Sequence, residues 1–195
     1  MARKRTKKVN PRRIPLAKRE INEDAILEEA TKNDLYEAWL LVFHALIELE
    51  LIPFEEMPVL TEMVNQYIRD SANFENRCEE AKRAELLMGI SCPQIHKDID
   101  SIRSAVELET FKRKVKKVAT YTALSVLCLG LDSTGRLSNE DMRKIFLHAD
   151  LTLAEIEHGI VSYKGLENRL ADQGMEIERE SDDLHHAHIC EMCAE

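Results

Sequence analysis

The sequence predicts an all-α fold: an irregular multi-helix bundle with a basic N-terminal arm and a polar C-terminal tail. Three observations carry this expectation. Of 195 residues, 44% are apolar and 32% charged, enough apolar material to bury a core and too much for a disordered chain. Six Gly, five Pro and 5% aromatics leave too little punctuation for a β-sandwich, a barrel or a Gly-rich nucleotide fold. Apolar residues recur three and four positions apart along most of the chain, which is the period of a helix face. The length suits one domain with tails: an arm over residues 1–19, a helical body over 20–174, and an acidic then His/Cys-rich tail over 175–195.

The arm holds Arg3, Lys4, Arg5, Lys7, Lys8, Arg12, Arg13, Lys18 and Arg19 and no acid. With Asn10, Pro11 and Pro15 and few apolar residues, it has little burial to offset its ordering entropy and is expected to be disordered when alone. The other 18 Lys and Arg face all 36 Asp and Glu, so residues 20–195 carry −18 against the formal net charge of −9. The body is acidic and the arm is basic.

Order is expected to begin at Asn22, a helix N-cap followed by Glu23 and Asp24, which complement the positive end of the helix dipole. Ile26, Leu27, Ala30, Leu35, Ala38, Trp39, Val42, Leu46 and Leu49 then keep helical spacing as far as Pro53, predicting one long first helix. Its second half, 38–51, is apolar nearly all round and reads as central core. Pro58 suits the first turn of a second helix with a stripe of Leu60, Met63, Val64, Tyr67 and Ile68. The stripe resumes at Leu86, Leu87 and Met88 after a polar stretch with a possible break near Asn73, and Gly89 ends it. Ile95, Ile99, Ile102 and Val106 mark a third segment, and Phe111, Val115, Val118, Tyr121, Leu124 and Leu127 a fourth, with continuity around Glu107 left open. After the turn Asp132-Ser133-Thr134-Gly135, Ser138 and Asp141 form a capping box, opening a helix through Met142, Ile145, Phe146, Leu151, Leu153 and Ile156 that stops at Gly159. A last helix over roughly 162–171 ends at Gly174.

Candidate chemistry is densest in the tail. Cys190 and Cys193 have the spacing by which two thiolates grip one ion from a tight turn, and His185, His186 and His188 could complete a zinc tetrahedron. The alternative is a polar terminus that binds metal adventitiously. A distant second pair, Cys78 and Cys92, is available in principle, although five cysteines in an intracellular setting are expected to be reduced. Residues 130–141 superficially match a calcium loop. The ligands fail: Gly130, Thr134 and Asp141 stand where carboxylates and a bidentate Glu are needed. Glu155-x-x-His158 has the spacing of a di-iron ligand pair but lacks a second copy, so it reads as a solvated helix face. His96 with Asp98 and Asp100 could hold a small cation, though acids in a helix's first turn are expected anyway. His44, within an apolar stretch, is expected to be a core histidine satisfied by a backbone carbonyl. Scattered glycines offer no phosphate cradle and no nucleophile elbow. The expectation is therefore a protein that is not an enzyme, with no cofactor or with zinc at the tail.

Two basic segments remain. The arm, through Arg3, Lys4, Arg5, Lys7, Lys8, Arg12 and Arg13, has the composition of segments that neutralise phosphates or order against an acidic partner. Lys112, Arg113, Lys114, Lys116 and Lys117 lie within a turn and a half of helix, either as a second binding face or, the preferred reading, as a solvated face paired with the protein's own acids. The acidic body itself repels nucleic acid and suits a basic protein surface.

The run Pro11-Arg12-Arg13-Ile14-Pro15, the long apolar helix after it, the pattern over 124–146 and the later Gly159-Ile160-Val161-Ser162-Tyr163 resemble small accessory proteins of phages and mobile elements of Gram-positive bacteria. The resemblance is one of layout and covers residues 11–174. The His/Cys tail is not part of that layout. The resemblance implies a setting that includes anti-CRISPR inhibitors of type II effectors. The expected function is inhibition of a host nucleoprotein through its basic surface, with DNA-binding regulation through the arm or a zinc-dependent role of the tail as alternatives. No apolar run is long enough for a bilayer and no signal-peptide core follows the N-terminal charges, so a cytoplasmic protein without membrane contact is expected.

Overall fold

The computed structural model describes residues 22–70, 74–90, 93, 102–175 and 177. They form seven α-helices, α1 Glu23–Thr31, α2 Asp34–Glu48, α3 Met57–Asp70, α4 Phe74–Met88, α5 Ala105–Ser133, α6 Asn139–Glu157 and α7 Tyr163–Asp172, with a 3₁₀ turn at Phe54–Glu56 before α3. No strand occurs among the described residues, so the fold is all-α as the composition predicts. None of these helices is long and apolar enough to cross a membrane.

α5 is the axis. At 29 residues it runs roughly 43 Å, and every residue from Ala119 to Leu131 is buried. A helix enclosed on all sides must be wrapped by others, and α5 packs against α1, α2, α3, α4 and α6. α2 lies beside it, buried from Asp34 to Tyr36 and from Ala38 to Phe43, and packs in turn on α6 and α7. Trp39, Phe43, Leu46, Leu60, Leu124, Leu127 and Ile145 belong to one continuous core. A second, smaller cluster of Ile26, Ala30, Ile102, Phe111, Val115 and Ala119 joins α1 to the first half of α5.

The helix starts follow the sequence closely. Asn22, Ser104, Ser138 and Ser162 cap α1, α5, α6 and α7 with their side chains, each accepting from an amide three residues on. The Ser138–Asp141 capping box is reciprocal, and the Ser138 hydroxyl, then its amide, hold the Asp141 carboxyl below its ordinary range. Ser104 opens α5 directly, so that helix is continuous through Glu107.

Several expectations are corrected. The predicted single first helix is two, broken at Lys32 and Asn33. Asn33, at φ −130° and ψ 14°, leaves the helical region although no Gly or Pro lies between 22 and 52. α2 ends at Glu48, earlier than Pro53, through a Schellman motif in which the amides of Glu50 and Leu51 donate to the carbonyls of Ile47 and Leu46. The left-handed position of the equivalent ends of α6 and α7 is Gly159 and Gly174; here it is Glu50, at φ 50°. The question left open near Asn73 resolves to two helices, α3 and α4. Gly130 to Ser133 form the last turn of α5 and not a loop. Leu86 and Leu151, read as core, are 88% and 67% exposed.

Candidate functional site

The basic run of α5 forms one wall of a groove of about 870 Å³, opposed by α1 on one side and by the α6–α7 junction on the other. Its cations are met by carboxylates from three helices. Lys112 Nζ lies 3.0 Å from Glu29 on α1, Lys116 Nζ 2.8 Å from Glu37 on α2, and Lys117 Nζ 2.9 Å from Glu157 on α6. Lys116 also donates to the Ala30 carbonyl at 3.3 Å, in the last turn of α1, where the helix dipole favours a cation. Lys117 sits 5.7 Å from the Tyr121 ring centroid, within cation–π range. The hydrogen bond to Glu29, and then that carboxylate's charge, hold the Lys112 ammonium above its ordinary value.

Tyr163 closes the far bank. Burial first, and then the charge of Glu37 and a hydrogen bond to it, push its phenol well above its ordinary value, so it is a neutral donor at any physiological pH. Ile26, Leu153 and Ile156 give the groove apolar ground between the ion pairs. Its charged lining comprises Glu29, Glu37, Glu109 and Glu157 against Lys112, Arg113, Lys116 and Lys117, which cancel. A nucleophile activated by a neighbouring base is not present in this lining; the arrangement is a mesh of ion pairs that ties α5 to α1, α2 and α6. Of the five sequence-predicted cations here, three are thus engaged internally, while Arg113 and Lys114 are exposed and make no ion pair among the described residues.

The acidic character concentrates elsewhere. Residues 33–68 contain seven Asp and Glu and no Lys or Arg. Asp34 is buried and Glu37 is taken by Lys116, but Glu48, Glu50, Glu55, Glu56 and Glu62 are all exposed along the end of α2, the following loop and the outer face of α3. Glu56 pairs with Arg136 and Glu62 with Arg69 at 3.5 Å. Val59 and Met63, one turn apart on α3, are exposed among these acids. Glu50 adds a point of strain, because a left-handed conformation costs a residue with a Cβ about 1 kcal/mol. The body's total charge conceals this corner, whereas the absence of Lys and Arg over 33–68 marks it in the sequence.

Two histidines meet between α2 and α6. The ring centroids of His44 and His148 are 5.3 Å apart. His44 Nδ1 lies 4.0 Å from Glu48 Oε1, a weak carboxylate contact in place of the expected bond to a backbone carbonyl. The His148 Nε2 is enclosed and has no hydrogen-bond partner among the described residues. Burial of His44, whose side chain is 13% exposed, lowers its pKa, assisted by His148 and Arg169 and opposed by Glu48 and Glu155. The unfolded chain then takes up a proton near pH 6.5 that the folded chain refuses. Stability is therefore expected to be full above that pH and to fall as pH drops from it toward the lower folded value. Urea midpoints at pH 7.5 and 5.5 check this: the loss between them should be smaller in His44→Asn, and an equal loss in both proteins would refute it.

Glu155 and His158 show the solvated face their spacing predicts: both are exposed, and the His158 Nδ1 lies 2.7 Å from the Ala154 carbonyl oxygen. The arm cations Arg3, Lys4, Arg5, Lys7, Lys8, Arg12 and Arg13, and the tail ligands His185, His186, His188, Cys190 and Cys193, lie outside the described residues, as do Cys92, His96, Asp98, Asp100 and the side chain of Cys78. Among the described residues, no three His, Cys, Asp or Glu side chains are placed to hold a metal, and Cys128 is buried and forms no disulfide. The chain matches no known family model, no curated protein and no solved structure.

Proposed function

We propose that this chain is a non-enzymatic interaction protein of the phage or mobile-element type, acting in the cytoplasm to inhibit a host nucleic-acid-binding defence protein such as a CRISPR effector. The observation that carries the reading is the acidic corner, where Glu48, Glu50, Glu55, Glu56 and Glu62 are exposed on the same stretch as the exposed Val59 and Met63, two of them, Glu56 and Glu62, pairing with Arg136 and Arg69. Carboxylates steer such a surface to a cationic channel, and the apolar pair gives it something to bury on arrival. The internal pairing of Lys112, Lys116 and Lys117 supports the same direction, since it removes three cations from any phosphate-binding face. The arm then serves as an accessory contact to nucleic acid or to an acidic rim of the partner.

The test is a binding assay against a purified, guide-loaded type II effector. The full chain and a chain lacking residues 1–19 are expected to bind comparably. Reversing Glu55, Glu56 and Glu62 to Lys should weaken binding by at least about tenfold, because like charges are then pressed together. Glu50→Gly should stabilise the fold by up to about 1 kcal/mol while weakening binding, the pattern of a residue kept for its charge at the expense of backbone strain. Salt-sensitive binding of bare duplex DNA, abolished by removing residues 1–19 and needing no protein partner, would instead establish a DNA-associated regulator.

A further inference from the structure

We infer that α1 is an exchangeable element and that the chain forms a dimer in which α1 of each copy seats on α5 of the other. The packing of α1 is separable. Its apolar residues Ile26 and Ala30 belong to the small cluster on the first half of α5 and not to the main core, so withdrawing α1 leaves the main core closed. Its polar ties, Glu29 to Lys112 and the Ala30 carbonyl to Lys116, both run to α5. One flank faces the open groove, and among the described residues α1 packs chiefly on α5, with a smaller contact to α2 beside the junction. Every one of these contacts is reproduced unchanged when a second copy supplies α1.

The hinge is a single residue. Lys32 is already right-handed helical, at φ −52° and ψ −33°, and its amide continues the α1 ladder to the Glu28 carbonyl. Asn33 alone departs, and its side chain makes no capping bond to hold it there. Moving Asn33 by about 70° in φ and about 55° in ψ brings it to helical values and merges α1 and α2 into one helix over residues 23–48. The junction Thr31-Lys32-Asn33-Asp34 is polar but holds no Gly or Pro, so no residue in it forbids such a helix.

The occupant is argued from charge and shape. α1 packs four acids and no base into nine residues, with Ile26, Leu27 and Ala30 as its apolar face. The strip it leaves on α5 is apolar at Phe111, Val115 and Ala119 and cationic at Lys112 and Lys116. An acidic amphipathic helix fits that strip, and α1 of a second copy is one that fits by construction. Exchange trades the interrupted junction for added helix at the cost of association.

Size-exclusion chromatography with light scattering, from micromolar to near-millimolar protein, tests this in the full chain. A concentration-dependent dimer is expected. Asn33→Ala should tighten it about threefold per hinge and roughly tenfold per dimer, from the helix propensity of Ala over Asn. Inserting three glycines between Lys32 and Asn33 should return it to monomer, because a slack hinge favours closure within one chain. In cysteine-replaced chains, mixed Glu29→Cys and Lys112→Cys partners should be joined covalently by a short bismaleimide. Monomer throughout for both the wild type and Asn33→Ala, or a dimer without that interchain link, overturns the inference, the latter pointing to a different interface.

Discussion

Trp39→Ala is expected to cost about 3–5 kcal/mol, enough to consume much of the roughly 5–15 kcal/mol that holds a domain of this size together. Trp39 is fully buried in α2, stacked on Phe43 with ring centroids 4.7 Å apart and planes inclined by 17°. Truncation removes the whole indole from the central core between α2 and its neighbours, and helices fixed by a 29-residue axis cannot collapse into the space. Trp39→Phe discriminates between volume and polarity. The indole Nε1 is buried with no acceptor among the described residues, and an unpartnered donor carries a desolvation penalty of about 1–3 kcal/mol. Removing that N–H offsets part of the lost packing, so Trp39→Phe should cost under about 2 kcal/mol. Urea unfolding followed by far-ultraviolet circular dichroism suits the comparison, since both variants lack the single tryptophan. Equal losses in the two would mean that the indole nitrogen has a partner and contributes through it.

Where a helix begins or ends on a side chain with a local job, the sequence shows it. Ser138 with Asp141, Ser162, Gly159 and Gly174 each act through neighbours within a few residues, and all lie where spacing predicts. What failed was decided by distant groups. Nothing near Asn33 demands a break; the helix bends there because α1 gains more by packing on Phe111 and Val115 than by continuing α2. Glu50 hides the end of α2 because it occupies a left-handed position that sequence reasoning reserves for Gly. Leu151 follows the helical period and still faces outward, because period fixes a face but not which neighbour covers it. The candidate site divides the same way. The cations of the 112–117 run were legible as a cluster, but Glu29, Glu37 and Glu157, which neutralise them, come from three other helices. The His44–His148 pair spans α2 and α6 and leaves no trace in either segment alone.

Gly130 shows how such a distant contact can be tested through one atom. A Cβ added there would lie 2.9 Å from Val64 Cγ1 and 3.4 Å from the Tyr67 ring, so α3 crosses α5 at a spacing that only Gly permits. Gly130→Ala gains about 1 kcal/mol of helix propensity, so the sign depends on whether the neighbours can yield. Val64 is fully buried and β-branched, with one favoured rotamer in a helix, and Tyr67 is pinned by its hydroxyl donating to Glu80 at 2.6 Å on α4. Neither side chain is free to retreat, so α3 itself must move. Overpacking of this kind costs about 1–3 kcal/mol, and Gly130→Ala is expected to come out destabilised by about 1 kcal/mol net, Gly130→Leu by about 3 kcal/mol or more. Val64→Ala removes the clashing methyl at the cost of a small cavity. In the Gly130→Ala, Val64→Ala double variant the loss should therefore be smaller than the sum of the single losses, with a coupling of at least about 0.5 kcal/mol. Strict additivity in chemical denaturation would show that α3 and α5 are not in contact at Gly130, and the helix crossing that seats the acidic outer face of α3 would need to be redrawn.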